Sequence, residues 1–197
     1  MTQLQPNADA SLVEREQSWT RSWLLACLMT GVTILSARFA EYIPPTPVPI
    51  TLQVFAVLLS GLLLGRRWSG VAQLQYLALG AMGAPVFAKA GHGLGDLFGL
   101  TGGYLLSYPI AACVAGWISD SHGAGRPAIA RQLLACGSAI TIIYGMGCAW
   151  YAAYSHLPLY AVVLPGALIF LFWDCVKACA AIGVARGIRA RWPALGR

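Results

Sequence analysis

Charge is absent from most of this chain and confined to short intervals. No Asp, Glu, Lys or Arg occurs over residues 22–37, 42–65, 68–88, 97–119, 132–155 or 157–173, nor over 178–185. A helix needs about 20 apolar residues to cross the hydrocarbon core of a bilayer, and several of these stretches have that length. Only 10% of the residues are charged, against roughly a quarter in soluble domains, and the mean hydropathy is +0.66. The pattern predicts an all-α membrane protein of six transmembrane helices, at roughly 22–41, 50–65, 68–86, 102–119, 131–153 and 172–188. In 197 residues this leaves no space for a soluble domain. Residues 1–20 carry Asn7, Asp9, Glu14, Arg15, Glu16 and Gln17 without an apolar signal core, so they read as a polar cytoplasmic tail. Residues 21–190 form the membrane domain, and 191–197 a short basic cytoplasmic tail.

The cations give the orientation. Arg15 and Arg21 precede the first span, Arg66 and Arg67 join the second to the third, and Arg126 and Arg131 join the fourth to the fifth. Arg186, Arg189, Arg191 and Arg197 close the chain. With six spans these ten fall on one side, against Arg38 and Lys89 on the other. Cytoplasmic loops are enriched in Lys and Arg, which puts both termini in the cytoplasm of a cell (inner) membrane protein. The net charge of +6 thus faces membrane lipid and carries no expectation of nucleic-acid binding.

Three segments remain outside: 42–49, 87–101 and 154–171. The first is stiffened by Pro44, Pro45, Pro47 and Pro49, the second is rich in glycine, and the third is apolar and broken by Pro165-Gly166. Irregular apolar backbone at membrane depth is tolerated against protein or over a cavity, so the three segments predict a roofed pocket on the external face.

Asp174 and Lys177 are the sharpest signal for function. Three residues apart, they share a helical face inside an apolar run. A charge at mid-membrane costs on the order of 3 kcal/mol and usually marks a ligand or ion path; the alternative is a purely structural ion pair. Arg38 and Glu41 have the same spacing nearer the headgroups and read as an interfacial pair. Lys89 beside the glycine-rich loop can attract an anion, Gln53 either caps its helix or lines the pocket, and Trp173 is a candidate stacking partner. The other tryptophans and tyrosines read mostly as interfacial belts. The six cysteines lie in apolar segments without a CxxC or a neighbouring His, so neither a metal site nor a cofactor is expected. The glycine-rich loop lacks the GxxxxGK[ST] of a phosphate loop.

Three motifs resemble the BioY family. They are Val48-Pro49-Ile50-Thr51-Leu52-Gln53 running on to Gly65, Tyr76-Leu77-Ala78-Leu79-Gly80-Ala81-Met82-Gly83-Ala84-Pro85-Val86-Phe87-Ala88, and Thr101-Gly102-Gly103-Tyr104-Leu105. The resemblance implies the substrate-binding (S) component of an energy-coupling-factor (ECF) transporter, with the six-helix S-component fold and biotin captured from outside. It also implies a transmembrane coupling protein and two cytoplasmic ATPases as partners. The family's Asp-xx-Lys motif on the last helix matches Asp174 and Lys177. There the family usually places Pro-Gly directly before the Asp, whereas here Pro165-Gly166 comes eight residues earlier. With Thr51, Gln53, Phe87, Lys89, Gly103, Tyr104 and Trp173, these two complete the candidate ligand-binding set. The family's Ala-xxx-Ala coupling pattern on the first helix has its nearest equivalents here in Ala26-xxx-Thr30, Cys27-xxx-Gly31 and Ser36-xxx-Ala40.

A transporter subunit is therefore expected rather than an enzyme. An intramembrane protease would want GxSG and an inward His, and metal-dependent lipid chemistry would want clustered carboxylates, whereas Asp174 is the only deeply placed acid. A solitary facilitator, or an S component for another vitamin, are the remaining alternatives.

Overall fold

Residue 65 decides how the first half of the bundle is built. The computed structural model describes residues 6–42, 44, 46–120 and 128–192, with side chains from Glu16 onward. Helix α1 (Pro6–Arg38) is followed by α2 (Gln53–Ala81), which is not one rod. Gly65 has φ 71° and ψ −176°, outside helical space. The Gln53 amide donates to the Tyr76 hydroxyl at 2.6 Å, yet 23 residues of straight helix would hold these groups about 35 Å apart. Thus α2 is a hairpin with arms over 53–64 and 66–81. Two further observations explain the sharpness of the turn. Positive φ is readily available to glycine alone, and a Cβ on Gly116 of the facing helix would lie 2.4 Å from the Gly65 carbonyl carbon. Small residues at such crossings let helices pack without a hydrophobic driving force between them.

The chain continues through a 3-10 turn (Ala88–Ala90), α3 (Gly93–Leu97), α4 (Gly102–Asp120) and α5 (Ile129–Ser155). It ends in α6 (Leu159–Val163), a π-helical turn (Leu164–Leu168) and α7 (Ile169–Arg191). Among the described residues, four helical stretches are long and apolar enough to cross a membrane: Glu16–Arg38, Gln53–Ala81, Ile129–Ser155 and Leu159–Arg191. Since α2 folds back on itself and α4 adds a shorter apolar helix, the described residues run through the bundle as six helical segments, in the order expected.

Three expectations change. The first helix stops at Arg38, and Ala40–Glu41 (β1) instead pairs antiparallel with Ile50–Thr51 (β2), Ala40 opposite Thr51 and Glu41 opposite Ile50. Arg38 and Glu41 therefore leave the shared helical face and do not pair with each other: Arg38 donates to the Pro85 carbonyl at 2.7 Å, and Glu41 meets Lys89 at 3.5 Å. Second, the apolar segment 154–171 is helical over most of its length rather than a loop. Its Pro165 falls in the π turn, and the carbonyls of Pro165 and Gly166 accept the hydroxyls of Thr46 (2.6 Å) and Tyr104 (2.7 Å). Third, the backbone of residues 6–20, expected as a tail, is helical and continuous with the first span. Residues 1–5, Ile43, Pro45, Arg126 and Arg197 lie outside the described residues.

Polar groups hold the hairpin to α1. The Gln73 amide donates to the Thr33 and Ser60 hydroxyls at 3.2 and 3.3 Å, and the Thr30 hydroxyl is 2.9 Å from the Ala72 carbonyl. Consequently Ala26, Thr30, Ser36 and Ala40 are buried inside the protein, and of the three small pairs on the first span only Cys27 and Gly31 open outward. At the basic end, Arg189 of α7 bonds the Leu62 carbonyl and lies 3.7 Å from Asp120 of α4, whose carboxylate also accepts the Arg66 N–H. Both contacts brace the Gly65 turn. A Cβ on Gly65 would sit 2.1 Å from the Asp120 Oδ2, so Gly65→Ala combines a left-handed backbone, costing about 1–3 kcal/mol, with a clash. It is expected to lower the melting temperature of the purified protein clearly, while Gly31→Ala, where a Cβ meets open space, leaves it near the parent value.

Candidate functional site

At the end of the bundle opposite the arginines, a cavity of about 410 Å³ opens beneath the loops. That volume falls within the roughly 300–1,000 Å³ of small-molecule sites. Its lining comes from Tyr42, from residues 47–54 entering α2, from the 87–101 loop, and from α4 (Tyr104, Leu105, Tyr108), α5 (Ile143, Tyr144) and α7 (Phe170, Asp174, Lys177).

The deep wall is polar in a very limited way. Lys177 Nζ lies 2.7 Å from Asp174 Oδ1, and the Tyr144 hydroxyl donates to Asp174 Oδ2 at 2.6 Å. Their burial is nearly complete, with 2% of Asp174 and 9% of Lys177 exposed. Both carboxylate oxygens are thus engaged. An ammonium has three donors, and among the described residues Lys177 uses one of them. Two N–H donors remain in a water-poor wall, where an unmade hydrogen bond costs about 1–3 kcal/mol or more for a charge.

Gln53 lines the same cavity. Its backbone N–H is accepted by the Thr51 hydroxyl at 3.2 Å, and its side-chain amide bonds Tyr76. Its side-chain oxygen has no hydrogen-bond partner among the described residues. Tyr76 in turn stacks edge-on against Phe87, with ring centroids 5.5 Å apart, fixing Phe87 as an apolar wall. Tyr104 spends its hydroxyl on Gly166, lays its ring against Gly147 and lines the cavity.

The mouth is different in character. Lys89 is half exposed, pairs with the largely exposed Glu41 and lies 5.7 Å from the Tyr42 ring. The loop carrying it is tight: Lys89 and Ala90 both have left-handed φ, at 54° and 63°, uncommon for residues with a side chain. The Phe87 N–H bonds the Gly91 carbonyl at 3.0 Å, and the His92 N–H bonds Asp96 at 2.7 Å, so Asp96 braces the loop.

Seven of the nine candidates from the sequence, Thr51, Gln53, Phe87, Lys89, Tyr104, Asp174 and Lys177, are brought together around this cavity. Gly103 and Trp173 are placed elsewhere. Gly103 packs against α5, where a Cβ would come 2.2 Å from that of Trp150. Trp173 points away from the bundle, half exposed and edge-on to Phe172 at 5.6 Å, because one step along a helix turns a side chain by about 100° from its neighbour. Tyr144 and Tyr108 were missed among tyrosines read as interfacial belts. A signal was available for Tyr144: it sits near the middle of the 27-residue α5, too deep for a belt.

The BioY family model matches residues 5–194, nearly the whole chain. The chain belongs to the BioY family. Among its relatives is the probable biotin transporter BioY of Pyrococcus horikoshii, 34% identical over 165 residues that cover 84% of this chain and 94% of that one. The biotin transporter BioY of Thermotoga maritima is 33% identical over the same shares. The crystal structure of the S-component for biotin from an ECF-type ABC transporter superposes with a TM-score of 0.81, covering 92% of this chain and 98% of that one at 21% identity. The fold is therefore that of an S-component, and this BioY-family chain is a multi-pass membrane protein. The family is one of transporter components, not enzymes.

Proposed function

We propose that this BioY-family protein binds biotin in the cavity and takes part in its uptake across the membrane. The observation that carries the reading is the buried Asp174–Lys177–Tyr144 cluster, which together with Gln53 lines a small cavity whose other walls are largely apolar. Biotin has a ureido ring with two N–H donors and a carbonyl, an apolar chain and a terminal carboxylate. Lys177 is already neutralised by Asp174, whereas the acid partner of Lys89 is exposed and easily exchanged, since surface ion pairs are worth about 0–1 kcal/mol. The ring accordingly goes to the deep wall, with its carbonyl on Lys177, and the carboxylate to Lys89 at the mouth. Thr51, Phe87 and Tyr104 complete the walls.

In uptake the protein acts as an S component, with an ECF coupling protein and two ATPases supplying energy. The outward pair Cys27 and Gly31 is the coupling contact this reading favours on α1. The arginine-rich end faces the cytoplasm, and the cavity mouth faces outside.

Equilibrium binding of biotin and of its uncharged amide to purified variants tests the site. Lys177→Met is expected to weaken both ligands by about tenfold or more, which corresponds to about 1.4 kcal/mol, and Lys89→Met to weaken biotin well beyond biotinamide. The opposite pattern reverses the ligand in the cavity, and parent-like binding by both variants removes these residues from the site. For orientation, His92→Cys in a cysteine-free background should react with an impermeant thiol reagent in intact cells, and Arg191→Cys only after permeabilisation. For coupling, Gly31→Leu should abolish ATP-dependent uptake yet leave biotin affinity unchanged; undiminished uptake would move the contact off α1.

A further inference from the structure

The basic end carries a second constellation that the biotin site does not use. Trp19 and Trp23, one turn apart on α1, both meet Trp68 at the start of the second arm of α2, edge-on, at 5.5 and 5.8 Å between ring centroids. The Arg67 guanidinium lies 4.4 Å from the Trp19 ring centroid and 5.7 Å from that of Trp68. Arg67 is exposed and has no carboxylate partner among the described residues. Arg66 stands beside it, also exposed. Among the described residues the nearby acids do not neutralise the pair: Asp120 is committed to Arg189 and the Arg66 backbone, and Glu16, exposed one turn before Trp19, bonds neither arginine side chain.

With the guanidinium over the Trp19 ring and Trp68 also within cation–π range, the group is held in place without using its N–H donors. A planar fork held in this way suits bidentate pairing with a phosphate. The surroundings specify which phosphate. Trp19 and Trp23 are about half exposed, as ring systems at the headgroup level of a bilayer are. Beyond them toward the membrane centre, Leu24, Leu28 and Leu74 are exposed apolar side chains available to acyl chains. A second copy of the chain is disfavoured as occupant, because a parallel neighbour would bring another basic rim against this one.

We propose that Arg67, framed by Trp19, Trp23 and Trp68 and assisted by Arg66, forms a binding site for the headgroup of an anionic phospholipid in the leaflet at the basic end of the bundle.

The test is native mass spectrometry of the purified full chain in detergent, titrated with phosphatidylglycerol or phosphatidylcholine. The parent is expected to retain phosphatidylglycerol at least about fivefold more strongly, a difference that Arg67→Gln removes while biotin affinity stays at the parent value, showing that the variant is folded. Arg191→Gln, on the same basic rim, should keep the preference. Equal losses in the two variants would mean a diffuse positive field and overturn the site. So would displacement of phosphatidylglycerol by millimolar inorganic phosphate, which would make the ligand a free anion. A change of oligomeric state in Arg67→Gln without loss of the lipid preference would overturn it in favour of a contact between copies.

Discussion

A carboxylate and an ammonium placed beside each other in a nearly dry wall set the terms for the rest of this fold. Taking two such charges out of water costs several kcal/mol per ion, and their attraction offsets this only when the geometry is good and the remaining lone pairs are met. For Asp174 the arrangement is complete, with Lys177 on one oxygen and Tyr144 on the other. For Lys177 it is not, and the incompleteness faces a cavity. A well-packed apolar pair would serve a merely structural helix as well or better. Under the proposed function, the unmet donors of Lys177 would be satisfied by the polar group of the bound ligand.

Holding that wall in place falls to helices that meet from distant parts of the chain. Tyr144 comes from α5, Asp174 and Lys177 from α7, and Gln53 from the start of α2. Their convergence depends on the Gly65 turn, which returns the second arm of α2 so that Tyr76 can fix Gln53 and back Phe87. The turn is in turn braced from α4 and α7 by Asp120 and Arg189. A constraint at the arginine-rich end therefore supports the cavity wall near the opposite end, through helices that do not stretch.

The two ends of the bundle are built on different principles. Helices at the basic end are tied by Arg189, Asp120 and the Trp19–Trp68 contacts, in a rim of positive charge. The mouth is roofed by short segments tied by the β1–β2 pair and by side-chain bonds such as Thr46 to Pro165, Arg38 to Pro85 and Lys89 to Glu41. Val48, Val86, Phe87 and Leu97 of these segments are buried, while Arg38, Glu41 and Lys89 are exposed, so only the outer bonds are of the kind that open at low cost.

Composition and charge placement were enough to determine the class, the order of the helices and their alternation. In a bilayer, unpaired backbone and exposed charge are so costly that the linear pattern leaves few alternatives. Asp174 and Lys177 were legible for the same reason: a charge inside an apolar run has no cheap explanation. Where a charge sat near the membrane edge that cost vanished, and with it the signal. The Arg38–Glu41 pair was read as helical neighbours because nothing in the spacing reveals that α1 stops at Arg38. Segment 154–171 was read as irregular because Pro165 breaks the expected pattern, while the helix absorbs it in a π turn whose freed carbonyls find Thr46 and Tyr104. Which tyrosines turn inward, that Trp173 faces out beside an inward Asp174, and that Ala26 and Ala40 are packed inside the protein were settled only by tertiary structure. Those outcomes depend on the rotation of each helix about its own axis, which packing against its neighbours fixes and local sequence does not.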